Sequence, residues 1–358
     1  MSVAPTSTCP GSEPTRPPLW PTRPASSASR WWSPRTPERG PVLVTGVDGF
    51  AGSHLADLLI RQRYQVHGTT RKPNPDPRAE LPSAVVCHEV DLLDRERVQA
   101  VVSRVRPALV FHLAALSSPA ASWEDPAATI TNNVGGQANL LNALVLLNPR
   151  PRVLVVGSTD EYGRVSGRGR RLDEDTPLRP LSPYAVSKVA QDYLGLQYYL
   201  SRELPCVRVR PFNHVGPRQA PQFAVSNFAQ QIARIELGRQ EPRLKVGNLK
   251  VKRDFTDVRD MAQAYLLALL KGRAGEVYNL GSGRAVSIGE IAQSLIRFSR
   301  KKISLEADPS RTRVAEAEVY VCDPRRFQRL TGWKPKIPLE KTLRDTLKYW
   351  RSCEAAGG

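Results

Sequence analysis

Val42-Leu43-Val44-Thr45-Gly46-Val47-Asp48-Gly49-Phe50-Ala51-Gly52 is a short apolar run that breaks into glycines three apart. Leu55, Leu58 and Leu59 follow at helical spacing, so the stretch predicts a strand, a glycine-rich turn and a helix N-terminus. That order suits a pyrophosphate. Gly46 and Gly49 permit a tight turn and close backbone approach, Phe50 opens the helix beside them, and Gly52 lets the helix pack on the strand. Glycines alone would also suit an ordinary turn; the flanking strand and helix favour the nucleotide reading.

Working outward, strands are predicted at 65–70, 84–89, 108–113, 153–157 and 206–209. Segments of helical character at 95–105, 133–147 and 187–201 separate them. Such alternation predicts an α/β fold, a Rossmann-type doubly wound parallel sheet. Past Asn213 the pattern loosens into helices near 225–237, 258–270, 288–299 and 339–350. We therefore expect a nucleotide-binding domain at 41–212, a smaller C-terminal α/β substrate-binding lobe at 213–350 with some chain returning to the sheet, and a flexible tail at 351–358. Residues 1–40 are rich in Pro, Ser, Thr and Arg, with Glu13 and Glu38 as their acids, and are expected to be disordered. Their composition is that of a transit peptide, but the prolines favour a non-structural extension or a mis-assigned start. Trp31 and Trp32 are expected to be incidental there.

The strand at 65–70 ends Thr69-Thr70-Arg71-Lys72. An acid at that point bonds a ribose 2′-hydroxyl, whereas a cation accommodates a 2′-phosphate, so NADP(H) is expected, with NAD(H) the second option. A basic surface loop would look the same. Asp91 and Leu92, after the next strand, are placed to hold an adenine.

The chain has 358 residues, 41% hydrophobic and 24% charged, and no apolar run long enough to cross a bilayer, so no membrane association is expected. The five cysteines are scattered without a C-x-x-C pair, which argues against a disulfide framework or a metal site and for a reducing, cytoplasmic setting. The formal charge of +18 would suit nucleic acid, but it is mostly arginine spread along the chain without a recognition motif, so no nucleic-acid partner is expected. An anionic nucleotide also suits it.

Tyr184 and Lys188 are four residues apart and share one face of a helix. A lysine there can hold a ribose and lower the tyrosine pKa, making the hydroxyl a usable acid. Ser158 ends an intervening strand, and Ser182-Pro183 makes a turn just before Tyr184. Together "TGVDGFAGSHL", "FHLAA", "NNVGG", "GSTDEYG", "SPYAVSK" and "RPFNHVGP" resemble the extended short-chain dehydrogenase/reductase family, in order, over about residues 42–350.

The resemblance implies that Ser158 hydrogen-bonds a sugar C4 oxygen, Tyr184 transfers its proton and Lys188 tunes the tyrosine. It also implies that Asn133 and the Ala114-Ala115 backbone support or line the cofactor site, and that a homodimer packs through the helices after Asn133 and around Tyr184. "QEPRLKVGNLKVKRDFTDVRD", "VYNLGSG" and "TGWKPKIPLEKTL" resemble the GDP-sugar branch. By that resemblance Asn213 and Arg253 contact the diphosphate, Arg313 and Glu316 the ribose and base, and the substrate is a GDP-linked 6-deoxy-4-keto sugar reduced at C4. Forked arginine donors suit phosphate, and a carboxylate suits guanine N1 and N2.

Three other readings stay open: a 4,6-dehydratase, alone or combined with the reductase; a 4-epimerase retaining NAD; and a dinucleotide sensor without turnover. Counting back from Tyr162, Asp160 stands where dehydratases place a carboxylate, one methylene shorter than a Glu, and is kept as an accessory acid. The Asp160-Glu161 pair is otherwise expected to be a solvated turn. Gly216-Pro217-Arg218-Gln219 departs from the branch's usual "GPGQ", with an arginine that is either neutral on a loop or a cofactor contact.

Overall fold

Helices cover both faces of the central sheet, which is why its inner strands at Val42–Thr45, Leu109–His112 and Arg152–Val156 are buried along nearly their whole length. The computed structural model describes residues 40–71, 81–164, 171–309 and 320–356. Strands β1 (Val42–Thr45), β2 (Val66–Thr70), β3 (Val86–Glu89), β4 (Leu109–His112) and β5 (Arg152–Val156) come first. Helices α1 (Phe50–Arg61), α2 (Arg95–Val105), α3 (Pro126–Ile130) and α4 (Gly136–Val145) alternate with them. A short β6 (Arg171–Leu172) precedes α5 (Pro183–Arg202) and β7 (Cys206–Pro211). Next come β8 (Asn213–Val215), α6 (Ala224–Glu236), β9 (Arg243–Val246), β10 (Lys252–Asp257), α7 (Val258–Lys271) and β11 (Val277–Leu280). The last are β12 (Ala285–Ser287), α8 (Ile288–Arg297), β13 (Ser304–Ala307), β14 (Val321–Cys322), α9 (Arg325–Thr331) and α10 (Leu339–Ala356).

The seven-stranded sheet runs β11-β7-β5-β4-β1-β2-β3 with every pair parallel. Strand order reverses between β1 and β4, and ligands of such sheets bind at the carboxyl ends beside that point. Successive strand residues serve opposite faces. Val42 and Val44 join Leu55, Leu59 of α1 and Met261, Leu269 of α7 on one side. Leu43, Val110 and Val153 join Val98 of α2, Leu140 of α4 and Tyr198 of α5 on the other. A separate core gathers α6, α8 and α10 around Phe228, Ile232, Leu295, Leu347 and Trp350. The β8–β10–β12 sheet and the β9–β13 and β6–β14 pairs complete the C-terminal part.

Two local features differ from the sequence expectations. The helix expected from 133 is preceded by a π-helical turn over Thr131–Gly135. Gln191 Nε2 donates to the Asn133 carbonyl at 2.8 Å, while the Asn133 side chain bonds Leu116 and Ser187; π-bulges of this kind favour functional sites. Helix α10 continues to Ala356, correcting the flexible tail expected from 351, because Arg351 pairs with Glu236 at 2.7 Å and Glu354 with Arg234 at 3.0 Å. The chain expected to return to the sheet after Asn213 includes β11, an edge strand paired with β7. The disorder expectation for residues 1–40, apart from Gly40, lies outside the described residues, as do Trp31 and Trp32.

Candidate active site

A cleft of about 460 Å³ opens at the carboxyl ends of β1, β2, β4, β5 and β7. Gly46, at φ +65, begins the glycine turn, and Gly49 N donates to Gly46 O at 3.1 Å. Gly49, Phe50 and Gly46 line the cleft; Gly52 lies behind it, where a Cβ would come 2.2 Å from Gly46 O. Gly49 caps α1 without a side-chain bond, and the first turn of α1 carries no acid, so the amide end of the helix faces the cleft as an anion site requires. Thr45 Oγ1 accepts from Leu113 N and Ala114 N, both at 3.2 Å, drawing the Ala114-Ala115 backbone against the turn. Thr45 was not singled out in the sequence, because a threonine closing a strand has no distinctive signal.

Arg71, Asp91 and Leu92 lie together at one end of the cleft. The Arg71 guanidinium bonds Asn132 Oδ1, with Nε 4.0 Å from Asp91 Oδ2. Lys72 lies outside the described residues.

Ser158 caps a 3-10 turn, Thr159–Tyr162, accepting Asp160 N at 3.1 Å. Ser182 caps α5 and Pro183 fills its first turn, so Tyr184 enters the cleft from the start of a long helix. Tyr184 and Ser158 both line the cleft, within electrostatic reach of each other. Lys188 Nζ donates to Val156 O at 2.9 Å and lies 6.0 Å from the Tyr184 ring centroid. Burial pushes the Tyr184 hydroxyl well above its ordinary pKa, Asp160 adds to the rise, and Ser158 opposes it. The raised hydroxyl does not show the lowering by lysine that the sequence suggests; desolvation is the largest cause. Lys188 itself is pulled down to about 8, burial being the largest cause. Tyr184 is thereby kept protonated, the form that can donate.

The Asp160-Glu161 pair is not the solvated turn expected of it. Asp160 lines the cleft, and Glu161 is 0% exposed, with Oε1 accepting Ser158 N at 2.7 Å. The guanidinium of Arg210, remote in sequence, stands 3.0 Å from Oε2 of that buried acid.

Asn213 and Arg253 both line the cleft, 40 residues apart in sequence by number; β8 and β10 pair in parallel with Asn213 opposite Phe255, two residues beyond Arg253. Asn213 Oδ1 is buried without a partner, and Arg253 lies 4.9 Å from the Tyr320 ring centroid. Arg313 and Glu316 lie outside the described residues. His214 and Tyr265 also face the cleft; His214 stacks on Phe50 at 5.7 Å and 6°, a contact only the tertiary fold could reveal. Arg218 takes the left-handed conformation, φ 70, and its guanidinium meets Asp57 of α1 at 2.8 Å. A non-glycine residue there costs about 1–2 kcal/mol, which the half-buried ion pair offsets in part. Among the described residues no group of three or more His, Cys, Asp or Glu could hold a metal.

Sheet order, glycine turn and the Ser158, Tyr184, Lys188 grouping together define an extended short-chain dehydrogenase/reductase. More particularly, residues 43–346 match the family described as GDP-mannose 4,6 dehydratase, and the chain belongs to it. GDP-6-deoxy-D-mannose reductase of Pseudomonas aeruginosa is 37% identical over 311 residues, covering 87% of this chain and 97% of that protein. Among solved structures, RMD from Pseudomonas aeruginosa complexed with NADPH superposes with a TM-score of 0.75 at 33% identity, over 88% of this chain and 99% of that one. UDP-glucose 4-epimerase of Thermus thermophilus, in complex with NAD, gives a TM-score of 0.78 at 30% identity, over 87% and 99% of the two chains.

Proposed function

We propose that this protein reduces the C4 ketone of GDP-4-dehydro-6-deoxy-D-mannose to GDP-6-deoxy-D-mannose, that is GDP-D-rhamnose, using NADPH. The observation that carries the reading is the placement of Ser158, Tyr184 and Lys188 in one cleft with the glycine turn and Arg253. Likeness to the Pseudomonas aeruginosa reductase supports the substrate class.

The residues fit a dinucleotide: the uncapped amide end of α1 suits a pyrophosphate, Arg71 a 2′-phosphate, Asp91 and Leu92 an adenine, and Ala114 and Ala115 the length between. When bound, NADPH supplies the hydride. Tyr184 donates its hydroxyl proton to the C4 oxygen as charge develops there, and Ser158 orients that oxygen. Lys188, its ammonium anchored on Val156 O, favours the tyrosinate left behind. Arg253 meets the diphosphate with forked donors, and the unpartnered Asn213 Oδ1 awaits a donor from the ligand. Arg313 and Glu316 are assigned to the ribose and guanine by resemblance alone.

One observation favours a second reading: Asp160 lines the cleft close enough to influence Tyr184, as the acid/base of a 4,6-dehydratase would. The test is to supply GDP-mannose alone and then with a separate 4,6-dehydratase, following NADPH by absorbance and the sugar by NMR. NADPH loss only in the second case is expected; a 4-keto product from GDP-mannose alone would reassign the protein as a dehydratase or a bifunctional enzyme.

Arg71→Ala is expected to raise the KM for NADPH by about tenfold, the loss of one charge-assisted bond, while shifting that for NADH less than about twofold. Equal effects on both cofactors, in initial-rate assays, would remove Arg71 from the 2′-phosphate. We also propose a homodimer. Val186, Tyr193 and Leu200 form an exposed apolar stripe seven residues apart on α5, beside exposed Trp123 and Ile130, and such a face supports pairing of helices. A cytoplasmic setting is proposed because Cys87, Cys206, Cys322 and Cys353 are free thiols. No described helix is long and apolar enough to cross a membrane.

A further inference from the structure

Behind the Ser158 turn lies a buried ionic cluster that the reaction scheme leaves unused. Tyr184, Lys188 and Asp192 follow one another at four-residue spacing, so α5 carries all three on one face. Asp192, 1% exposed, accepts Arg210 Nε at 2.7 Å through Oδ2 and Arg208 Nη1 through Oδ1. Both arginines project from β7, two residues apart and hence to the same side of the sheet.

Glu161 joins this cluster to Ser158. Its Oε1 takes the Ser158 N–H at 2.7 Å. Its Oε2 stands 3.0 Å from Arg210 Nε, yet that nitrogen's single N–H is already given to Asp192, and Oε2 receives no donor of its own. Asp192 Oδ2 takes that N–H at 2.7 Å, so the two carboxyls converge on one donor. Two carboxyls crowding one N–H favour a proton on one of them, and an ionised oxygen sealed in without a donor is strongly disfavoured. Burial and the nearby Asp192 charge push Glu161 well above the ordinary carboxylate range, in agreement with the geometry. Space for the group is built in: a Cβ on Gly157 would lie 2.1 Å from Glu161 Oε1. A second fastening comes from Arg210 Nη1, which donates to Tyr162 Oη at 3.2 Å, while Tyr162 donates to Asn279 Oδ1 of β11 at 2.6 Å.

We infer that Glu161 is a positioning residue that works as a neutral acid: Oε2–H donates to Asp192 while Oε1 holds the Ser158 amide, setting the Ser158 hydroxyl against the helix that carries Tyr184. The inference rests on the reading of Ser158 and Tyr184 as the reacting pair. A glutamine reproduces both bonds, with its amide N–H in place of the acid O–H; an alanine reproduces neither.

The test uses the full-length enzyme and the variants E161Q and E161A, with GDP-4-dehydro-6-deoxy-D-mannose and NADPH. E161Q is expected to keep kcat within about threefold and the wild-type pH profile, whereas E161A loses about tenfold to a hundredfold in kcat with KM and NADPH binding little changed. Should E161A fail to fold, E161L of similar bulk takes its place. Independently of turnover, the infrared difference spectrum of wild type minus E161Q at neutral pH is expected to show the carbonyl band of a protonated carboxylic acid. Absence of that band, a kcat loss in E161Q as large as in E161A, or full kcat in E161A would each overturn the inference. A wild-type enzyme that reduces no keto-sugar would defeat the functional reading, and the infrared band would then decide the state of Glu161 alone.

Discussion

Tyr184→Phe is expected to cut kcat by about 10²–10⁴-fold, the usual worth of a positioned general acid, while the Kd for NADPH stays within about twofold of wild type. The side chain keeps its ring, its place in the first turn of α5 and its packing near Lys188; what disappears is the proton that meets the developing alkoxide. Because the hydroxyl is raised by burial, the wild-type enzyme carries that proton across the neutral range, and its loss cannot be made good by a change of buffer. Single-turnover kinetics with the keto-sugar, beside fluorescence titration with NADPH, separate the two quantities. Retained turnover would remove Tyr184 from the chemistry and with it the proposed mechanism.

Gly52→Ala is expected to lower stability by about 2–3 kcal/mol and to weaken NADPH binding by about tenfold to a hundredfold. The new Cβ would come 2.2 Å from Gly46 O and 2.9 Å from Val47 Cα, both backbone atoms that cannot swing aside as a side chain could. Relief requires α1 to move off the turn, and that shift takes the amide end of the helix away from the pyrophosphate it is proposed to hold. Thermal melts with and without NADPH measure both effects at once. A variant that melts like wild type and binds NADPH equally well would show that the turn tolerates the methyl group, contradicting the close packing of α1 on β1.

Much of the nucleotide-binding half was legible in the sequence because its signals are local. Short β-branched or aromatic runs such as Val42–Thr45 and Leu109–His112 fit buried strands by their length and flanks, and α2 ends where its periodicity does. Strand β11 was not legible: Val277–Leu280 is four residues with a Tyr and an Asn among them, and its place in the sheet is decided by pairing with Arg208–Pro211 of β7. The end of α10 was misjudged for a related reason. Arg351 and Glu354 read as a polar tail until Glu236 and Arg234 of α6 stand beside them.

In the site the division is the same. The glycine spacing at 46, 49 and 52 and the four-residue step from Tyr184 to Lys188 are properties of a turn and of one helix, so the sequence by itself determined them. The protonation of Tyr184, the burial of Glu161 and the partner of Arg218 were decided only by the tertiary structure. Each depends on how much water is excluded and on which charge arrives from a distant segment: Arg210 and Asp192 around Glu161, Asp57 beside Arg218. Desolvation and Coulomb attraction act through space, and a linear sequence does not state the distances on which they depend.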